Sequence, residues 1–414
     1  MGGQGNSDLA ALKKAGANIV ALCDVDQKYA AKTFSQYPDA KRYVDYREML
    51  EKQKNIDAVL IATPDHLHAV IAMAAIKMGK HVYVEKPLTR TIYEARMLTE
   101  AAKKYKVASQ MGNQGHAGLG NRQMCQWIWD GAIGEVREVH CWTNRPCWPS
   151  GVEMTRPKET PPVPDTLNWD LWLGPAQPRP YHPIYLPAVW RGWFDFGTGA
   201  VGDMACHIVD SPFWALKLSY PAEIVGSSDT YYSGYFRQDF EFMKDGFPRV
   251  SVIRFKFPAR EGLPPVKLTW YDGGLMPERP EELEPQRRLG DANGGVLFVG
   301  SKGKIMCGCY GERPQLLPAT RHQQYMEELK SRQVESIPPS PGHQVEWIEA
   351  CKGAKPAGSN FNYSGPLTET IVMGMIALRF PNQVLQWDGA NMKFVNNEKA
   401  DAWIKPNYRE GWSL

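Results

Sequence analysis

The sequence predicts a doubly wound parallel α/β domain followed by an α+β domain with a large, mainly antiparallel open sheet. Three observations carry that expectation. Strand-like and helix-like segments alternate over roughly the first 110 residues. One of them, "IDAVLIAT", is a continuous apolar run, as a strand buried on both faces requires. Beyond residue 120 the texture changes, and residues 144–200 are rich in Pro, Trp and Gly.

In chain order, Gly2, Gly3 and Gly5 surround Gln4 in a glycine turn that runs into a helix at "NSDLAALKKAG". Leu9 and Leu12 give this helix an apolar side, and Asn6 or Ser7 is the expected cap. "ANIVALCD" reads as a strand, "QKYAAKTFSQY" as a helix, "KRYVD" as a strand and "YREMLEK" as a helical turn. After "IDAVLIAT", "HAVIAMAAIKMGK" is an amphipathic helix stopped at Gly79. "HVYVEKP", "TIYEARMLTEAAKKYK" and "VASQM" complete the alternation. "NRQMCQWIWDGAIGEVREVHCWTN" reads as helix, turn and strand, and "VGDMACHIVDSPFWALKL" as one helix. "RVSVIRFKF", "KLTWYDGG" and "VLFVGSKGKIMC" alternate as strands of an antiparallel sheet. "HQVEWIEACKG" and "PLTETIVMGMIALRF" are late helices, with short strands at the end. The expected division is a nucleotide-binding domain over residues 1–121 and a substrate and assembly domain over 122–414.

Composition narrows the function. A chain of 414 residues buries enough apolar surface for two cores. Its formal charge of +3, with no basic block, does not indicate a nucleic-acid binder, and no nucleic-acid partner is expected. No apolar run reaches membrane-spanning length, so no membrane partner is expected. The opening residues do not form a signal peptide. Eight scattered cysteines show no zinc spacing; Cys307-Gly-Cys309 reads as strand thiols. That usage favours a reducing compartment, hence the cytoplasm. The 14 Trp and 18 Tyr suit either a site that stacks on sugar rings or an aromatic core.

Candidate site residues come from turns at strand ends. A glycine turn entering a helix N-terminus offers backbone N–H groups and a dipole to a pyrophosphate. Asp24 follows the next strand, 19 residues after Gly5, where an acidic residue binds the adenosine ribose hydroxyls. A carboxylate there repels a 2′-phosphate, so NAD is favoured over NADP. "ATPDHLHA" and "VEKPLT" close two further strands, placing Thr63, Pro64 and His68 near the cofactor and Glu85 and Lys86 near the reacting centre. Asp65 and His68 also have a spacing compatible with metal ligands, but no metal is expected.

"EKPLT" after "ATPDHLHA", then "GAIGEV" and "GDMACHIVD", resembles the glucose–fructose oxidoreductase and inositol dehydrogenase (Gfo/Idh/MocA) family. "YVDYREML", "GNQGHAG", "VGSKGKI" and "EWIEACKG" extend the resemblance over nearly the whole chain. It implies an N-terminal Rossmann domain and a C-terminal α+β domain whose open sheet builds homodimers or homotetramers. It implies NAD- or NADP-dependent oxidation or reduction of sugars, cyclitols and related polyols. Glu85, Lys86 and Pro87 take the family's Glu-Lys-Pro positions, with a cis bond expected before Pro87. Asp203 and His207, at i and i+4 on one helix face, take its Asp-x-x-x-His positions. In this reading His207 accepts the hydroxyl proton, Asp203 orients His207, and Lys86 stabilises charge developing on oxygen. Asn113 joins the cofactor residues. Trp142, Asn144, Arg145, Arg191, Trp193 and Tyr271 are expected to touch substrate, while His116 and His343 stand behind.

The glycine turn departs from the family. The strand that precedes it, and its first glycine, fall before Met1. That strand would lie between Ile19–Cys23 and Val59–Ala62, leaving a gap in the sheet. The expectation is a late start assignment or the removal of upstream residues, with a strand-forming segment there in the native protein; an export signal in it would shift localisation to the periplasm. Three functions compete: a dehydrogenase of a sugar, glycoside or cyclitol ring hydroxyl, an NAD-dependent glycosidase using transient C3 oxidation, and a non-catalytic sugar or NAD sensor. Which sugar and which carbon are not readable from these residues.

Overall fold

The alternating first domain forms as expected, in a computed structural model that describes residues 2–151, 154–235, 237–239, 244–332 and 336–414. Its elements are α1 (Gly3–Lys14), β1 (Ala21–Cys23), α2 (Gln27–Gln36), β2 (Lys41–Tyr43), α3 (Tyr46–Lys52), β3 (Ala58–Ile61), α4 (Asp65–Lys77), β4 (His81–Val84), α5 (Ile92–Tyr105) and β5 (Ser109–Met111). Local chemistry sets the ends. Asp26 and Asp45 cap α2 and α3 through their carboxylates, and Thr91 with Glu94 forms a capping box on α5. After α4 the chain reverses at Gly79, whose φ of +73° costs an L-residue energy.

The glycine turn differs from expectation. Gly3 already belongs to α1, Gly2 is its N-cap, and no side chain caps it. Asn6 therefore sits inside the helix, where its Oδ1 accepts from Thr33 Oγ1 at 3.3 Å. The helix starts earlier because the small glycine side lets its first turn lie against neighbours. A Cβ on Gly5 would come within 3.1 Å of Ala62 Cβ, and one on Gly2 would collide with the Tyr29 ring.

The parallel strands fall into two sets, β1–β2 and β3–β4–β5. Among the described residues no strand joins β1 to β3. The slot between them, walled by Leu22 on one side and Val59 and Ile61 on the other, belongs to a cavity of about 1130 Å³.

The second part begins with α6 (Leu119–Trp129), in which the expected 121/122 boundary lies, and β6 (Val136–Thr143). Then come α7 (Trp169–Leu173), α8 (Gly199–Ile208) and α9 (Asp210–Ala215). The single helix expected over α8 and α9 is broken at Val209, three residues before Pro212, which cannot donate to a helix and clashes one turn back. The strands are β7 (Glu223–Ser228), β8 (Tyr231–Gly234), β9 (Arg237–Asp239), β10 (Ser251–Phe257), β11 (Val266–Tyr271), β12 (Gly294–Gly300), β13 (Gly303–Cys307) and β14 (Gln315–Leu317). They are followed by α10 (Ala319–Lys330), α11 (His343–Cys351), α12 (Phe361–Leu378), β15 (Leu385–Asp388), β16 (Lys393–Phe394) and α13 (Glu398–Asp401).

Nine strands build one sheet in the order β14-β13-β12-β6-β11-β10-β7-β15-β16, with β6–β11 its parallel pair and the other neighbours antiparallel. On β10 burial alternates, so one face packs on helices. The helix against it is α12, apolar nearly all round and buried along most of its length. It also packs on α5, and Arg96 of α5 forms a two-pronged pair with Glu369 of α12 at 2.8 and 2.7 Å. This seam fixes the first domain against the sheet that carries the rest of the site.

The aromatic loop region makes its own core. Trp169, Trp172, Tyr185, Trp190, Trp193 and Phe196 bury one another beside Met154 and Leu167. Their number is explained by packing.

Candidate active site

Lys86 leaves the carboxyl end of β4 through a cis peptide bond to Pro87, as the resemblance implied. His68 braces this corner: its two ring nitrogens lie 2.9 Å from the carbonyl oxygens of Thr63 and Pro87. Asp203 and His207 arrive one turn apart on α8. That helix is docked at its start, where Thr198 Oγ1 donates to Asp65 Oδ2 at 2.6 Å and His66 N donates to Phe196 O at 3.2 Å. Thus α4 holds α8 and brings Lys86 to Asp203.

The contact is direct. Lys86 Nζ donates to the Asp203 carbonyl oxygen at 2.8 Å and to its Oδ1 at 3.0 Å. Arg191 Nε reaches the same Oδ1 at 3.3 Å, and Arg145 Nε lies 3.9 Å from Oδ2. Burial raises the Asp203 carboxyl, but Lys86 and Arg191 outweigh it and hold the pKa at about 2. Burial likewise opposes the charge on Lys86, but the carboxylates of Asp203 and Glu85 prevail and its pKa is raised. The pair is an ionised carboxylate and a protonated ammonium.

His207 is not part of that pair, contrary to expectation. Its Nδ1 is buried without a partner, and no hydrogen bond joins it to Asp203, whose oxygens face three cations. The ring stands edge-on to Tyr310 at 4.8 Å between centroids. Burial, then the Lys86 charge, push its pKa well below the usual histidine value, and Asp203 only partly counters them. The imidazole is neutral at neutral pH.

A cavity of about 1130 Å³ runs from this corner to the glycine turn. Gly2, Gly3, Gln4 and Gly5 line one end, and Asp24, Thr63, Pro64, His68, Glu85, Lys86 and Arg191 line its walls. Asp203 and His207 stand behind Lys86, outside that lining. The features fit a dinucleotide. The first turn of α1 has no side-chain cap, so its N–H groups are offered to an anion. Thr63 Oγ1 is buried without a partner. Asp24 Oδ1 receives the N–H of Asp26 at 2.9 Å, which fixes the carboxylate at the exit of β1.

Several expected residues lie elsewhere. Asn6 does not line the cavity. Asn113 is fully buried and its Oδ1 accepts from Ser359 Oγ at 2.5 Å. Trp142 packs with Leu283, Leu289, Leu297, Met306 and Leu317 behind the sheet, because its strand register turns it from the cleft. Trp193 is fully buried in the aromatic core. Tyr271 lies against His140, its hydroxyl 3.2 Å from Nδ1. Asn144 donates to Ala292 O at 3.0 Å and accepts from Arg145 at 2.7 Å, so it positions Arg145. His116 pairs with Asp210 at 3.0 Å, and Tyr363 donates to the same carboxylate at 2.6 Å, away from the cleft.

Asp8 was not expected at the site. It lies on the buried side of α1, accepts from Gln4 at 2.8 Å and faces Glu85. Asp8 Oδ2 and Glu85 Oε1 are both buried without a donor. Desolvation, then the Asp8 charge, raise Glu85 far above the usual carboxyl value; desolvation also raises Asp8. One proton shared between them satisfies both oxygens. An acidic residue on an apolar helix face was the available sequence signal.

Residues 1–113 match the family model described as oxidoreductase family, NAD-binding Rossmann fold, and residues 136–220 match its C-terminal alpha/beta domain. Inositol 2-dehydrogenase of Salmonella typhimurium is 32% identical over 127 residues, covering 30% of this chain and 38% of that protein. Levoglucosan dehydrogenase of Pseudarthrobacter phenanthrenivorans is 26% identical over 189 residues, covering 46% and 40%. The matches thus span about two-fifths of these curated relatives' length. The WlbA dehydrogenase of Bordetella pertussis, solved with NADH and UDP-GlcNAcA, superposes with a TM-score of 0.61 at 15% identity, over 94% of this chain and 96% of that one. That likeness is one of fold.

Proposed function

Because this chain belongs to the Gfo/Idh/MocA oxidoreductase family, we propose that it is an NAD-dependent oxidoreductase acting on a ring hydroxyl of a sugar, glycoside or cyclitol. The observation that carries the reading is that one cavity is lined by an uncapped glycine turn, by Asp24 and by Lys86, with Asp203 paired to Lys86 from behind. The relatives named above are dehydrogenases, which favours simple hydride transfer over the glycosidase and sensor readings.

The glycine turn, Asp24 and Thr63 would hold NAD, which when bound supplies a hydride acceptor. Lys86, kept protonated, donates a hydrogen bond to the substrate oxygen and stabilises negative charge as its proton leaves. His207, kept neutral, receives that proton. Asp203 maintains the charge on Lys86 and aims its Nζ. Arg191, on the cavity wall, faces the space for a polyhydroxylated ring, and Arg145 backs it against Asp203. A homodimer or homotetramer through the C-terminal sheet belongs to the same proposal and is read by light scattering.

The test is to incubate the purified chain with NAD⁺ and a panel of sugars, glycosides and cyclitols, following NADH absorbance. Turnover on a member of the panel supports the reading. Aglycone release without net NADH would replace it with the glycosidase, and NAD binding without either reaction with the sensor.

A further inference from the structure

We propose that the C-terminal tail and α7 roof the adenosine end of the cleft, with Trp412 as a wall of the cofactor site. This rests on the dinucleotide reading above. Asp24 N donates to Tyr43 O at 3.1 Å, so the ribose carboxylate abuts the exit of β2, and Tyr46 opens α3 just beyond. Trp412 packs on Tyr46 with ring centroids 6.4 Å apart, and both line the same cavity as Gly2 and Asp24. The Arg47 guanidinium lies 4.9 Å from the Trp412 ring and is held by Asp45 through bonds of 3.0 and 2.7 Å. Its charge is therefore answered locally, and the tryptophan is fixed from below.

The tail is clamped rather than loose. Arg409 pairs with Asp170 Oδ1 at 2.6 Å and donates to the Asp170 carbonyl at 2.8 Å. Gln177 donates to Asn407 O at 3.0 Å, and Tyr408 to Glu94 Oε1 at 2.7 Å. The segment leading into α7 grips the loop beyond Asp24: Gln27 N donates to Thr166 O at 2.9 Å and Asn168 N to Val25 O at 2.8 Å. Leu171 and Trp172 of α7 line the cavity beside Trp412. A flat aromatic wall next to a ribose-binding carboxylate suits an adenine ring, and a clamped roof slows its escape.

The test titrates NAD⁺ and ADP-ribose calorimetrically into the whole chain and its Trp412→Ala and Asp170→Asn variants, with release rates from displacement. Trp412→Ala should weaken both ligands by about fivefold to tenfold and speed release, as expected for loss of aromatic contact. Asp170→Asn should speed release in the same direction. Wild-type affinities and release rates in both variants would overturn the roof while leaving the dinucleotide reading intact. Failure of the wild-type chain to bind either ligand would overturn that reading and the roof with it. Should Trp412→Ala lose its thermal transition, the exposed Asp170→Asn exchange decides alone.

Discussion

Lys86 Nζ is bonded to both the carbonyl oxygen and the carboxylate of Asp203, at 2.8 and 3.0 Å. Lys86 and helix α8 are thereby one unit. The carboxylate that was expected to orient His207 instead keeps Lys86 charged, and Arg191 and Arg145 keep the carboxylate charged in turn. In the proposed reaction that unit is the polariser, and His207, the proposed proton acceptor, stands apart from it.

Lys86→Met should lower kcat/KM by about 10²–10³, as removal of a preorganised charge donor does elsewhere. The fold should survive, because Asp203 keeps Arg191 as a partner and is not left as an unpaired buried charge. Initial rates and a thermal melt check both halves. A rate within twofold of wild type rejects the role.

His207→Asn should cost about 10²–10⁴ in kcat if the imidazole takes the proton. It should also remove the acid limb of the pH–rate profile. Because burial and Lys86 depress the wild-type value, that limb should lie below the ordinary histidine pKa. An unchanged profile in the variant would mean that another group accepts the proton.

The first domain was legible because its buried strands are plain apolar runs and its helices carry caps that fix their ends, as at Thr91 and Gly79. Lys86 was singled out by its strand-end position and the family resemblance, and Asp203 and His207 by the resemblance alone; the structure brings Lys86 and Asp203 into contact. What Asp203 bonds was not, since Arg145 and Arg191 come from separate loops whose approach only the fold determines. Trp142 and Trp193 were misassigned for a physical reason: an aromatic in a Pro- and Gly-rich stretch reads alike whether it stacks on a ligand or fills a core. Trp412 gave no local signal, because its partners Tyr46 and Arg47 lie at the other end of the chain.

Stability should fall on the acid side. His66 and His343 are buried, and desolvation lowers their pKa values to about 3 and about 4. The folded chain then binds fewer protons than the unfolded one below the ordinary value of 6.5, so stability is full above it and is lost as pH falls toward the folded values. His66→Gln should flatten that loss. Melting midpoints from pH 7.5 down to pH 4 measure it, and parallel curves for both proteins would refute it.

Asp24→Asn should weaken NAD⁺ by about tenfold or more, since hydrogen bonds to a charged acceptor contribute more than neutral ones. Discrimination against NADP⁺ should relax at the same time, because the repulsion of a 2′-phosphate is removed. Asparagine can still accept the Asp26 N–H, so the turn is preserved. Calorimetric titration with both dinucleotides checks it; unchanged affinity for each excludes the ribose contact.

Asp8 and Glu85 predict an effect of the opposite sign to the histidines. Burial raises both carboxyls and the Asp8 charge raises Glu85 further, so the folded state holds a proton that the unfolded chain releases above its ordinary carboxyl pKa. Their contribution is present at acid pH and is lost as pH rises through the folded values. Asp8→Asn keeps an oxygen for Gln4 and puts an N–H where Asp8 Oδ2 meets Glu85, so Glu85 can ionise against a donor. The melting midpoint of the variant should therefore gain on wild type between pH 5 and pH 8. Glu85 is next to Lys86, so placing the pair's one negative charge on Glu85 should also hold Lys86 protonated to higher pH and move any alkaline limb of the rate profile upward. A midpoint difference that stays constant with pH would show that no shared proton links the glycine helix to the lysine strand.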